Sequence, residues 1–226
     1  MGQIIILNET TINPITEIGS MAGVCRKGAS QTKEANYKRG LEVIQSHHDR
    51  CLEFVNVQMV LYGYSARVIR EWYTHIGGSP TRLQESTRYA DESAFSYVIP
   101  PSVKEDSDAC YLYRETMLYI SDVMQKLKDR GVPTEDISML LPLGMTTEVV
   151  DKRNLRNLVE MSHQRMCNRA YWEYRQLMNN IIFALKQYSE EWKTLINMNI
   201  FCPKCDVLGE CPEKKGCGRI SHKIEH

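Results

Sequence analysis

From Leu155 to Leu185 apolar residues recur at helical spacing: Leu155, Leu158 with Val159, Met166, Ala170, Tyr174, Leu177, Ile181 and Leu185. A stripe sustained over so many turns has to be covered by a core or by another subunit. It makes helix the dominant element of the second half of the chain. The pattern predicts one helix from about Asp151 to about Lys193, the longest in the protein. Polar residues line up along it as well. Asn154 and Arg165 stand about eleven residues apart, roughly three full turns, and so share a face that Arg169 and Trp172 continue.

Ahead of this stripe, helical and extended patterns are mixed. Gln3 to Leu7 is a short apolar run and reads as a strand. Pro14 opens a helix carrying Ile15, Ile18 and Met21, and Tyr37, Leu41 and Ile44 mark a second that ends at Ser46-His47-His48-Asp49. Adjacent histidines on a helix point about 100° apart, which makes His47 and His48 a poor ligand pair. Phe54 to Tyr62 alternates and reads as a strand, with Gly63-Tyr64-Ser65 turning out of it. Phe95 to Ile99 suggests a further strand, and a loop is expected at Asp91-Glu-Ser. Ser107 to Arg130 is a helix whose inner side carries Leu112, Met117, Ile120, Met124 and Leu127, stopped by Gly131-Val-Pro133. Thr134 is expected to cap a short helix, and Met145 to Val150 reads as a strand.

The stretch from Arg67 to Tyr89 carries the densest polar chemistry. Arg67, Arg70, Glu71 and Thr74 fall on one helical face, with Val68, Ile69, Trp72 and Tyr73 behind. Gly77-Gly78 and Pro80 break the helix, and Arg82, Gln84, Glu85, Ser86, Thr87 and Arg88 follow as a polar loop. Glycines let backbone approach a ligand closely, and arginine forks hold phosphate oxygens bidentately. A solvated loop between two elements explains the same residues equally well.

The 226 residues contain 28 basic and 28 acidic side chains, so no global field steers the chain to nucleic acid or to a membrane. No apolar run approaches a membrane span, the start lacks a basic region and a cleavage site, and a cytoplasmic protein is expected. Cys25, Cys51, Cys110 and Cys167 are scattered and read as reduced thiols. Cys202, Cys205, Cys211 and Cys217 cluster in the tail, enough thiolates for a structural zinc site. An iron–sulfur cluster or free thiols would use the same residues. There is no Gly-x-Gly-x-x-Gly after a strand, no P-loop and no His-Glu-x-x-His, and Ser86 has no sequence-evident base.

Gln84-Glu-Ser86-Thr-Arg88-Tyr89 resembles the end of the signature of the flavin-dependent thymidylate synthases, (Glu/Gln)-x-Ser-x-Arg-Tyr. Asn154-Leu-Arg156 through Arg165 to Ala170-Tyr-Trp-Glu173 is similar to a later helix of that family, and the likeness runs from about Asn8 to Trp192. The Arg-His-Arg that opens the family signature falls on Thr74-His75-Ile76, and its preceding Gln on Glu71. Arg67, Arg70 and Arg82 are the candidates to replace the missing charge, Arg82 first. The pattern Gly-His-x-Ser-x-x-Glu-His matches at His48 and Glu53, with Phe54 in place of the last His, which the family uses at the flavin.

The resemblance implies an α+β fold, an antiparallel sheet flanked by helices, in a homotetramer whose active sites lie between subunits. A domain over 1–198 would carry the chemistry and 199–226 would be a Cys-rich, zinc-binding tail. The implied reaction is FAD-dependent reductive methylation of dUMP to dTMP, with methylenetetrahydrofolate as carbon donor and NADPH as reductant. The resemblance implies Arg165 and Ser86 as catalytic residues, with Glu71, Arg82, Gln84, Ser86, Arg88 and Arg165 on dUMP and His75, Asn154, Arg156 and Glu160 on FAD. Two other readings stay open. One is a related flavoenzyme acting on another pyrimidine nucleotide such as UMP; the other is a non-enzymatic nucleotide-binding protein with a zinc knuckle.

Overall fold

The computed structural model describes residues 2–27, 29–88 and 94–220. Tyr89, the last residue of the signature, and the loop expected over 91–93 lie outside the described residues. Four strands form one antiparallel sheet. They are β1 (Gln3–Ile6), β2 (Asn56–Ser65), β3 (Thr81–Gln84) and β4 (Thr146–Asn154), in the order β1-β2-β4-β3. Ten α-helices accompany them among the described residues: α1 (Pro14–Val24), α2 (Lys33–Gln45), α3 (Ala66–Trp72), α4 (Pro101–Lys104), α5 (Ser107–Lys128), α6 (Thr134–Ile137), α7 (Leu155–Arg165), α8 (Trp172–Tyr188), α9 (Glu190–Asn197) and α10 (Lys204–Leu208). The fold is therefore α+β, as the mixed periodicity and the resemblance imply.

The chain divides into two compact units. One comprises Met1–Gln3, Leu61–Thr74 and Leu83–Val149. Its core gathers Phe95, Met117, Met124, Ile137 and Met145 under Tyr97, Tyr113, Ile120 and Leu127. Leu112 is 65% exposed and does not belong to the inner side of α5. The strand expected over 95–99 reduces to a single antiparallel bridge between Tyr97 and Met145. Thr134 is the first residue of α6 rather than its cap; Pro133 occupies the cap position. Ser65 ends β2 and caps α3, its hydroxyl accepting from the Val68 N–H at 3.2 Å. The turn expected at residues 63–65 is thus the end of the strand. Gly63 has φ +71°, and beyond it the buried positions shift from Leu61 to Tyr64, one residue out of alternation.

The other unit comprises Ile4–Val60, His75–Arg82 and Val150–His226. Ile15, Ile18, Val55, Val57, Leu155, Leu158, Tyr174, Leu177, Ile181 and Leu185 are all fully buried in it. The single helix expected from Asp151 to Lys193 is instead the end of a strand and three helices. Residues 151–154 belong to β4, and α7, α8 and α9 follow. Among the described residues the longest helix is α5, with 22 residues. Along β4 the buried positions are Thr147, Val149, Asp151 and Arg153, a period of two that continues through charged residues. The chain between α7 and α8 leaves helical geometry, so Arg169 does not continue the face of Arg165. Ser189 separates α8 from α9 in an extended conformation, and its hydroxyl accepts from the Trp192 N–H.

Candidate active site

Helix α7 is anchored from below by a buried ion pair. The Arg153 guanidinium donates to both carboxylate oxygens of Asp151 at 2.6 Å, with both side chains wholly inaccessible. Its remaining nitrogen donates to Asn157 Oδ1 at 2.7 Å and contacts Met161 Sδ. Asn157 and Met161 lie on α7, so the network fastens the helix to the strand that precedes it. A pair of this kind is satisfied only by such complete bonding. Sequence periodicity missed it because charged residues at buried strand positions are invisible to an apolar pattern. The alternation Thr147, Val149, Asp151, Arg153 is the signal that would have found it.

Asn154 caps α7, its Oδ1 accepting from the Asn157 N–H at 2.9 Å. The turn through Gly77-Gly78 lies against this end of the helix. Gly78 has φ +70°, and a Cβ there would fall 2.3 Å from Asn154 Nδ2. The space that the glycines leave is therefore taken by Asn154 rather than held open. One turn along, Arg156 pairs with Glu53 at 2.6 Å and with Glu160 at 3.1 Å, all three partly exposed. The expected flavin residues Asn154 and Arg156 thus stand at the start of α7 and Glu160 midway along it, with the matched Glu53 joined to Arg156. Phe54, where the resemblance has a histidine, is 53% exposed.

At the other end of α7, Arg165 Nε donates to His75 Nε2 at 3.0 Å. Its guanidinium carbon lies 4.6 Å from the centroid of the Tyr174 ring, and His75 meets the same ring edge-on. Burial, with the Arg165 and Arg153 charges beside it, pushes His75 down to about 4. At neutral pH the imidazole is uncharged and accepts through Nε2, which leaves the proton on Nδ1. Tyr174, read from its spacing as core, is also the platform of this arginine.

The remaining candidates lie on or near β3 and α3. Arg82 is half-buried within strand β3, not in a loop as expected. Gln84 Nε2 donates to Thr147 Oγ1 at 3.4 Å, and the Glu85 N–H donates to the Glu148 carbonyl. Ser86 Oγ accepts from the Arg88 N–H, and the Arg88 guanidinium reaches Glu135 at 3.2 Å on the surface. The polar run therefore begins as an edge strand paired to β4. On α3, Val68, Ile69 and Trp72 are buried while Arg67, Arg70 and Thr74 are exposed and Glu71 half-buried, matching the expected faces.

The zinc site that the tail spacing suggests at Cys202, Cys205, Cys211 and Cys217 is not formed among the described residues. Among the described residues no three His, Cys, Asp or Glu side chains come together so as to hold a metal ion. Cys202 is buried, which raises its thiol above the usual range, while Cys217 is exposed. No helix among the described residues is long and apolar enough to cross a membrane.

The family model described as thymidylate synthase complementing protein matches residues 7–189. Similar proteins include the flavin-dependent thymidylate synthase of Clostridium tetani, 26% identical over 98% of this chain and 95% of that protein. Those of Thermococcus kodakarensis and Pyrococcus horikoshii are 29% and 28% identical, over 74% and 76% of this chain and 68% and 72% of theirs. With four-fifths of its length inside that model, the chain belongs to the thymidylate synthase complementing protein family, the flavin-dependent thymidylate synthases.

Proposed function

We propose that the protein methylates dUMP reductively to dTMP, taking the carbon from methylenetetrahydrofolate. The family match over residues 7–189 carries this reading. The donor set around the Gly77-Gly78 turn suits FAD: the Asn154 amide, the Arg156 guanidinium and the His75 imidazole offer hydrogen bonds to phosphate and ring oxygens, with Glu160 orienting Arg156. FAD, reduced by NADPH, supplies the hydride when bound. Arg165 polarises the uracil ring and stabilises the negative charge that develops as C5 becomes nucleophilic. Neutral His75 and the Tyr174 face hold its guanidinium in one orientation. Ser86, acting as the second catalytic residue, fixes the nucleotide together with Gln84, Arg88, Glu71 and Arg82.

No step or structural role is assigned to zinc in the tail, since the placed thiols do not form a site. The enzyme works in the cytoplasm as a homotetramer with active sites between subunits; a monomer in native mass spectrometry would reject this. Flavin absorbance of the purified protein and methyl transfer to dUMP test the main reading together. A colourless protein without transfer refutes it. The replacement of two signature arginines by Thr74 and Ile76 favours, as second reading, the same chemistry on UMP. Transfer to UMP and not to dUMP would decide for it.

A further inference from the structure

Beside Arg165 lies a cavity of about 410 Å³, and its far wall is the C-terminal segment: Pro203, Lys204, Cys205, Cys211, Glu213 and Arg219 face it. The near wall comes from the end of α7 and the link to α8, including Arg165 and Arg169. Four cationic side chains thus meet one carboxylate around a single cavity. Two of the four are already neutralised. Arg169 pairs with Glu213 at 2.8 Å, which ties the link to the tail. Arg219 grips both oxygens of Asp206 at 2.7 Å and also donates to Cys205 Sγ at 3.2 Å, which closes the tail on itself. The third, Arg165, is oriented by His75 and Tyr174. The fourth, Lys204, makes no ion pair among the described residues.

We infer that the Cys-rich tail is a wall of the ligand pocket at Arg165, and that Lys204 is the cation it presents to a phosphate group of the bound ligand. The inference rests on the dUMP reading for the identity of the ligand, but not for the chemistry. An anion entering the cavity meets Arg165 on one wall and Lys204 on the other, while the Arg169–Glu213 and Asp206–Arg219 pairs hold the walls in place. A lysine ammonium is a compact point charge suited to phosphate oxygens. The phosphate has two possible sources, the monoester of dUMP and the pyrophosphate of the flavin nucleotide. Two ion pairs tie the segment down, Arg169 with Glu213 and Arg219 with Asp206.

The test uses the full-length protein and Lys204→Gln, with Lys204→Arg as the charge-retaining control and thermal melts to confirm that all three fold. Calorimetry with inorganic pyrophosphate measures the site without presuming the reaction. Lys204→Gln is expected to weaken pyrophosphate about tenfold or more, and Lys204→Arg to retain it. Unchanged pyrophosphate affinity in Lys204→Gln overturns the inference. A matching loss for dUMP, with deoxyuridine unaffected, identifies the nucleotide monoester as the source; loss of retained flavin with dUMP unchanged identifies the flavin. If the parent protein binds neither dUMP nor flavin, the proposed function fails, and the pyrophosphate result still decides for or against Lys204.

Discussion

Asp151 and Arg153 show how much one buried pair can govern. Each is inaccessible, the two are paired with each other, and Arg153 is bonded to α7 as well. Removing one partner strands a buried charge, which typically costs about 3–5 kcal/mol. Asp151→Ala is therefore expected to lose about that much stability in urea denaturation, and a loss under 1 kcal/mol would show that the network relaxes without it. Arg82 is the residue with the sharper functional prediction. A buried phosphate needs a cationic partner, and the signature positions here are Thr74 and Ile76. Arg82→Ala should raise the dissociation constant for dUMP more than about tenfold and leave deoxyuridine unchanged. Equal dUMP affinity in parent and variant would pass the role to Arg70, on the exposed face of α3.

Among elements, α7 is the one on which the site depends. Its first turn is capped by Asn154 and its last residue is Arg165, so the expected flavin residue Asn154 and the expected uracil residue Arg165 stand at opposite ends of one short helix, with His75 beside Arg165. The eleven residues between Asn154 and Arg165 span α7 from its extended cap to its last residue, a helix far shorter than the stripe suggested. The Gly77-Gly78 turn is fitted to the start of α7. In Gly78→Ala a Cβ meets Asn154 Nδ2 in a backbone conformation that L side chains rarely adopt. The expected cost is more than about 1 kcal/mol, with lowered flavin retention because the cap is displaced. A variant with the parent's melting temperature and flavin content would show that the turn is not fitted to the cap.

At the scale of the whole molecule, His75 makes stability depend on pH. Its folded pKa, about 4, lies below the ordinary imidazole value of 6.5. The unfolded chain therefore binds more protons between these values, and stability rises with pH across that window. The contribution is complete above about pH 6.5 and is lost as pH falls towards 4, when a cationic imidazole would face Arg165 and Arg153. His163, lowered chiefly by burial, acts in the same direction. The difference between the parent and His75→Gln isolates the first term. Melting temperatures from pH 4 to 8 should converge in acid and diverge above pH 6.5, and parallel curves would remove His75 from the account.

What the sequence determined by itself is the part that depends on local pattern. Mixed periodicities foretold the α+β class, β2, α5 and the two faces of α3. The run Gln84 to Arg88 with Asn154, Arg156 and Arg165 foretold the family. What only the tertiary structure decided is where those patterns end and what the polar groups touch. The apolar stripe from Leu155 to Leu185 continues across a break because α7 and α8 bury residues in the same unit, so periodicity alone cannot find the ends of the helices. Asp151 and Arg153 belong to β4 because each supplies the other's partner, a compensation that no window of residues reports. The tail's cysteines have the spacing of a metal site, yet among the described residues they do not converge on one, and the segment carries the Arg169–Glu213 and Asp206–Arg219 ion pairs. Ligand geometry requires side chains to converge in space, and convergence is a property of the folded chain.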